Sequence, residues 1–346
     1  MKIVSLENVN YKILKDFDLD LQDNGKVLDL VVLAGINGTG KTTILEFIKQ
    51  KLSMNGYSLN GDLYFKCNDK LIKSMNLIKI EREYKIEYKI FQKKIIYIKA
   101  EENNINELKN SIKRYIKYQI FEEQISPKET YEKFNKFLKR VFLGMELSVS
   151  FDKLDKNENI YFKNSFGDSI KIESLSTGEK EILNKAFFFF VNETKDSVIL
   201  IDEPEISLHP TWQSHILKVY KNLANEFNNQ VIIATHSAQL IASTPKESLI
   251  ILTKEDGKIK ANNYNAYGKD INSILVDIMG VENLRDIEVE KQIKKVKNMI
   301  FEDNYKSEEF KKEFEKLEDM LENDNIELSL IKLELKRREN AKNSQN

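Results

Sequence analysis

Cysteine is almost absent from this 346-residue chain: Cys67 stands alone, so no intramolecular disulfide can form. A disulfide-stapled secreted scaffold is excluded, and with no leader pattern over Met1–Lys15 a reducing, cytoplasmic setting is expected. Long apolar runs are also missing. The longest, Leu30–Ile36 and Ala186–Val191, fall far short of the roughly 20 residues that span a bilayer. Excess charge of either sign is lacking: 54 Lys and Arg face 55 Asp and Glu, which excludes a generally polycationic nucleic-acid binder but leaves room for a local basic patch. Arginine is scarce, occurring only at 82, 114, 140, 285, 337 and 338, a bias that reads as AT-rich codon usage and carries no function. No internal repeat or low-complexity tract is evident. At about 100–200 residues per domain, two domains or one large domain with an insertion are expected.

What is there begins with short runs rich in Val, Ile and Leu at Lys2–Val9, Asp16–Leu21 and Val27–Leu33, which read as strands. Residues 44, 45, 48 and 52 then fall at helical spacing after an interruption at Gly35–Thr42. Strand-like runs follow at Leu77–Ile80, Tyr84–Phe91 and Ile95–Ile98. Residues 102–144 are long, polar and helical in spacing, predicting a hairpin whose second helix starts at Ser126-Pro127. Strands return at Glu146–Phe151, Asn159–Phe162, Ser169–Ile172, Ser197–Ile201 and Gln230–Ala234, with helices from Gly178 and over Pro210–Phe227. A last hairpin is predicted at Ser248–Leu252 and Lys258–Ala261, and beyond Tyr264 the pattern is helical, at roughly 286–302, 307–323 and 326–339.

Gly35-Ile36-Asn37-Gly38-Thr39-Gly40-Lys41-Thr42 matches G-x-x-x-x-G-K-[ST] between a strand and a helix, the context this motif requires. Its glycines let successive N–H groups turn inward around a phosphate, and the helix start adds its positive end, reaching Thr43. Lys41 brings a point charge to the β- and γ-phosphates of ATP, and the Thr42 hydroxyl is a ligand for Mg²⁺. Ser197-Val198-Ile199-Leu200-Ile201-Asp202-Glu203 is an apolar strand ending in two carboxylates, which packing does not ask for because burying charge is costly. Asp202 suits Mg²⁺, and Glu203 suits a general base acting on the attacking water.

Between these motifs lies Leu175-Ser176-Thr177-Gly178-Glu179-Lys180, which resembles the ABC-type signature. Ala234-Thr235-His236-Ser237 resembles the switch-histidine motif. Asp202-Glu203-Pro204-Glu205 with Ser207-Leu208-His209-Pro210 is similar to the form found in RecF-, SMC- and OLD-like ATPases. The resemblance, over about residues 1–265, implies an α/β fold: a P-loop ABC-type ATPase head, with a mixed sheet core, an antiparallel lateral sheet, a helical insertion at about 102–144 and a helical domain at 266–346. It implies two heads joined head-to-tail around two ATP molecules, with Ser176, Gly178 and Glu179 meeting the partner's nucleotide and His236 orienting the γ-phosphate and water. His209 is expected in the loop facing the partner head, and His215 in ordinary packing or at the surface. One departure stands out. The glutamine that usually follows the strand at Ile95–Ile98 is missing; Lys99-Ala100-Glu101-Glu102 occupies its place, and Gln92 lies earlier.

The short insertion excludes the long arms of SMC proteins. Its segment Lys109–Arg140 carries nine basic residues against four acidic, with Lys109, Lys113 and Lys117 on one helix face. That face is either a sequence-blind DNA-backbone stripe or a solvated surface, with Tyr115, Tyr118, Phe134 and Phe137 packing the hairpin. The tail, with Asn265–Leu275 and Met279-Gly280-Val281, resembles small ATPases of anti-phage operons, the PtuA subunit of Septu-type systems in particular. It is too short for the nuclease domain that OLD-family proteins append. Ile293, Val296, Ile300, Phe310, Phe314, Leu317 and Leu321 form amphipathic helix faces, for a small bundle core or for assembly. The resemblance implies a defence ATPase that controls a separate effector, a nuclease. A RecF-like DNA-repair ATPase is the alternative, a transporter subunit is disfavoured by the E-x-x-L-H-P loop, and a scaffold that binds ATP without turnover is a further rival.

Overall fold

The computed structural model describes residues 1–53, 58–67, 70–74, 94–99, 105–143, 149–191, 194–206, 208, 210–321 and 325–343. The strand expectations at 77–80 and 84–91, the segment 100–102, Gln92, Ser207 and His209 lie outside the described residues. The chain divides into two compact units, Met1–Met279 and Gly280–Asn346.

Unit 1 is built on a six-stranded sheet. Its strands are β1 (Lys2–Tyr11), β2 (Leu14–Asp20), the two-residue pair β3 (Gln22–Asp23) and β4 (Lys26–Val27), β5 (Leu30–Ala34), β6 (Asp62–Cys67), β7 (Lys70–Lys73) and β8 (Ile95–Lys99), followed by β9 (Ser150–Leu154), β10 (Ile160–Lys163), β11 (Ser169–Lys171), β12 (Val198–Asp202), β13 (Gln230–Thr235), β14 (Leu249–Glu255) and β15 (Lys258–Asn263). The main sheet runs β15-β14-β5-β13-β12-β8, with every neighbouring pair parallel except β14 and β15. All five residues of β5 and all six of β13 are buried, the continuous apolar reading of strands covered on both faces.

Alternation along these strands assigns each residue a side. Val31, Leu33, Val198, Leu200, Ile232 and Ala234 pack with α1 (Lys41–Lys51) and the antiparallel sheet β2-β1-β6-β7. Val32, Ala34, Ile199, Ile201, Val231 and Ile233 face the opposite core, shared with helices α2 (Ile105–Lys117), α3 (Pro127–Val141), α4 (Thr177–Val191) and α5 (Pro210–Phe227). The mixed core and the lateral antiparallel sheet are therefore as the motifs imply. At the end of β5, Gly35 has φ 142°, and a Cβ there would come 2.5 Å from the Leu252 carbonyl oxygen of β14, so only glycine fits.

The insertion is a helical hairpin, with a π turn over Tyr118–Glu122 between its helices. Ser126 caps α3, accepting from the Glu129 N–H at 3.2 Å, and Pro127 takes the first helical turn. Lys109 pairs with Glu173, and Lys113 and Lys117 pair with Glu158 in the β9–β10 turn, at 3.6 and 2.5 Å. The basic stripe is thus balanced by the chain's own carboxylates. Phe134 joins the hairpin to the head: its ring centroid lies 5.2 Å from that of Phe151 and 4.9 Å from that of Phe187 on α4. Phe134→Ala is expected to cost about 3–5 kcal/mol of stability, read as a lowered urea midpoint; an unchanged midpoint would show that the hairpin is not anchored by this ring.

After β13 come α6 (Ala238–Ser243) and, past the last hairpin, α7 (Ile271–Asp277), helices too short to stand out in the sequence. Residues 266–279, placed with the tail in the sequence, carry Ala266, Ile274 and Ile278 into the core of unit 1. Unit 2 comprises α8 (Ile287–Phe301), α9 (Glu308–Met320) and α10 (Ile326–Asn343). Its core holds Ile293, Val296, Ile300, Tyr305, Phe310, Leu317 and Ile331, with Phe314 and Leu321 against it. The amphipathic faces read from the sequence are therefore internal to the bundle. The exposed apolar residues are others, chiefly Phe301, Ile326 and Leu333.

Candidate functional site

The carboxyl ends of β5, β12 and β13 are adjacent because these three strands pair in parallel, Asp202 opposite Ala234 and Thr235 opposite Ala34. Such an edge of a parallel sheet is where α/β proteins bind ligands. From β5 the loop Gly35–Gly40 leads into α1, with Gly38 and Gly40 at φ 82° and 88°. Thr39 braces the loop, its hydroxyl donating to the Ile36 carbonyl at 2.8 Å. Asn37 and Gly38 are exposed at its crest, and Thr43 is half-buried in the first turn of α1.

Lys41 is buried and folds back beneath the loop, donating to the Gly35 and Ile36 carbonyls at 2.8 and 3.1 Å. Burial lowers its pKa from the ordinary lysine value, opposed by the charges of Glu203 and Asp202. The Thr42 hydroxyl donates to Asp202 Oδ1 at 3.1 Å, and the Tyr97 phenol of β8 donates to Asp202 Oδ2 at 3.2 Å. Burial raises the Asp202 pKa, against these two hydrogen bonds. Among the described residues, no group of three His, Cys, Asp or Glu side chains could hold a metal alone. One hydroxyl and one carboxylate suit a cation that keeps waters and takes phosphate oxygens as further ligands, the preference of Mg²⁺.

Glu203 sits beside this pair in a left-handed conformation, φ 50°, that costs a non-glycine residue about 1–2 kcal/mol. Its N–H donates to the Ala234 carbonyl at 2.8 Å, which ties the turn to β13. His236 Nδ1 lies 2.8 Å from Glu203 Oε1. A carboxylate only accepts, so in this pair Nδ1 is the donor. Strain of this kind, held by the neighbouring strand, aims a carboxylate out of the sheet edge.

The segment Ser176–Glu179 forms the start of α4. Ser176 N–H and Oγ donate to Glu179 Oε2 at 2.9 and 2.8 Å, and the Glu179 N–H donates back to Ser176 Oγ at 3.3 Å, a capping box. Gly178 has open space where a Cβ would stand, so nothing in its own chain demands glycine there.

A family model described as "AAA domain, putative AbiEii toxin, Type IV TA system" matches residues 80–242. The SMC head domain from Thermotoga maritima shares the fold with a TM-score of 0.52 at 16% identity, over 77% of this chain and 100% of that one. What these matches show is an ATPase whose fold is that of an SMC head. The probable ABC transporter ATP-binding protein p29 of Mesomycoplasma hyorhinis is similar at 27% identity over 279 residues, 78% of this chain and 91% of p29. Septu protein PtuA of Bacillus thuringiensis is similar at 30% identity over 125 residues, 32% of this chain and 31% of that protein's length.

For this ATPase the structure brings Thr42 together with Asp202, and Glu203 together with His236, while Ser176, Gly178 and Glu179 form their own cluster at the start of α4. Tyr97 was not among the residues expected here. Its signal was a tyrosine in an apolar strand, on the same side as Ile95 and facing α1. Nor was a role read for Glu205 or Lys185, both buried behind Glu203. His215 is half-buried on α5.

Proposed function

We propose that this chain is the ATP-binding and ATP-hydrolysing subunit of an anti-phage defence system, closing as a head-to-tail dimer around two ATP molecules and controlling a separate effector, a nuclease. The observation that carries the hydrolytic part is the adjacency of two hydrogen-bonded pairs, Thr42 with Asp202 and Glu203 with His236, at one edge of the parallel sheet. The similarity to PtuA and the AbiEii-like family model support the defence part.

The loop N–H groups of Gly38–Thr42 and the positive end of α1 receive the β- and γ-phosphates. Lys41 leaves the Gly35 and Ile36 carbonyls to pair with phosphate oxygens. Thr42 and Asp202 are the residues that hold Mg²⁺, which when bound neutralises charge on the phosphate oxygens. Glu203 takes the proton of the attacking water, and His236, through Nδ1–H, keeps that carboxylate turned toward the γ-phosphate. Ser176, Gly178 and Glu179 serve the partner's nucleotide; the space above Gly178 gives a phosphate group room to approach the backbone.

The similarity to p29 favours a second reading, an ATPase that docks on a membrane domain. Co-expression with the neighbouring open reading frame, followed by pull-down and native mass with and without ATP, separates them. The expected result is an ATP-dependent dimer that holds a soluble nuclease-like protein. Capture of a membrane protein would establish the transporter reading. A lone dimer that shifts DNA would establish the RecF-like one, against which the pairing of Lys109, Lys113 and Lys117 with Glu173 and Glu158 already weighs.

A further inference from the structure

Glu205 is 4% exposed, yet it is a carboxylate. Its Oε1 accepts three hydrogen bonds, all from one strand end: the Thr235 hydroxyl at 2.5 Å, the His236 N–H at 3.1 Å and the Ser237 N–H at 3.1 Å. Thr235 continues the alternation that turns Val231 and Ile233 toward the helix-side core, so it meets Glu205 behind the sheet edge while its neighbour His236 faces the front. From α4, Lys185 donates to the Pro204 carbonyl at 2.8 Å, gripping the peptide between the two glutamates.

The carboxylate is costly to bury. Among the described residues Oε2 of Glu205 has no hydrogen-bond partner, and burial raises the carboxyl pKa above its ordinary value. An apolar side chain of similar volume would be cheaper to bury. What an apolar residue would not do is hold the three donors at the end of β13. The His236 side chain is 42% exposed, so packing alone does not fix it. Its Nδ1 stands 3.9 Å from Glu205 Oε1 but 2.8 Å from Glu203 Oε1, so Glu205 takes the backbone and leaves the ring to Glu203.

We propose that Glu205 is the positioning residue of the hydrolytic pair: from the buried side it fixes the strand end that presents His236 to Glu203. The inference rests on reading Glu203 and His236 as that pair. A shift of about 1 Å in a catalytic group costs up to about 10²-fold in rate. Glu205→Ala is therefore expected to lower kcat by about 10- to 100-fold, with affinity for a fluorescent ATP analogue held within about twofold. Glu205→Gln keeps an acceptor oxygen for the same three donors and restores most of the rate.

A second readout does not depend on turnover. The chain has three histidines, so imidazole NMR signals of the full-length protein are few, and that of His236 is the one lost in His236→Gln. It is expected to move in Glu205→Ala and to stay in place in Glu205→Gln. An unmoved signal in Glu205→Ala, or Gln behaving as Ala does, overturns the proposal. If Glu205→Ala fails to fold, Thr235→Val removes the shortest of the three donors at nearly constant shape, and an unmoved His236 signal there overturns it equally. Unchanged turnover in Glu203→Gln would instead sink the hydrolytic reading while leaving the NMR result to judge Glu205.

Discussion

Glu203→Gln abolishes turnover and leaves nucleotide bound. The amide has the size of the carboxylate, and its oxygen still accepts the His236 Nδ1 proton across 2.8 Å, so the turn at φ 50° has no reason to change. What is lost is a base for the attacking water, a contribution of about 10²- to 10⁴-fold. The phosphate loop, Lys41 and Thr42 are untouched, so ATP affinity stays near the parent's and the ATP-bound dimer accumulates. Phosphate release and native mass measure both halves. Turnover close to that of the parent would remove Glu203 from its role.

Two inactive variants, mixed, recover activity. In a head-to-tail dimer each ATP lies between the phosphate loop of one head and the signature of the other. Lys41→Ala loses the charge on the phosphates, and Ser176→Arg blocks the start of α4; each alone falls by about 10²-fold or more. In a mixed dimer both lesions fall in one site, and the other site combines an intact Lys41 with an intact Ser176. With equal amounts and random pairing, half the dimers are mixed and half their sites intact, so about a quarter of parental turnover returns if the sites are independent. No recovery would mean that loop and signature serve the same nucleotide within one chain.

The parts of the site legible in the sequence are those built by chain-local rules. The apolar runs of β5, β12 and β13 are legible because strands covered on both faces read as short continuous apolar segments. Gly35 and Asp202 are legible because glycine turns and a carboxylate pair at a strand tip are local signals, whereas His236 is reached through the resemblance to the switch-histidine motif. What could not be read depends on residues far apart in the chain. Lys109, Lys113 and Lys117 share a helix face, but only the folded chain shows Glu158 and Glu173 beneath it. Tyr97 reaches Asp202 across 105 positions, and Glu205 receives Thr235 across 30. The spacing of Ile293, Val296 and Ile300 gave the helix, but whether its face closes on α9 and α10 or remains open depends on their packing.

The capping box at Ser176 has its own consequence. Two of the donors on which a phosphate from a partner head would land, the Ser176 N–H and hydroxyl, are already occupied by the Glu179 carboxylate. At those two donors an incoming anion therefore enters by exchange, displacing the Glu179 carboxylate. Because Glu179 is tethered, its effective concentration at those donors is on the order of millimolar or above. Weak or singly charged anions in the surrounding solution lose that competition, whereas a phosphate held by a whole nucleotide and a second protein surface can win it. At Ser176 the resting helix end is thus guarded and not vacant.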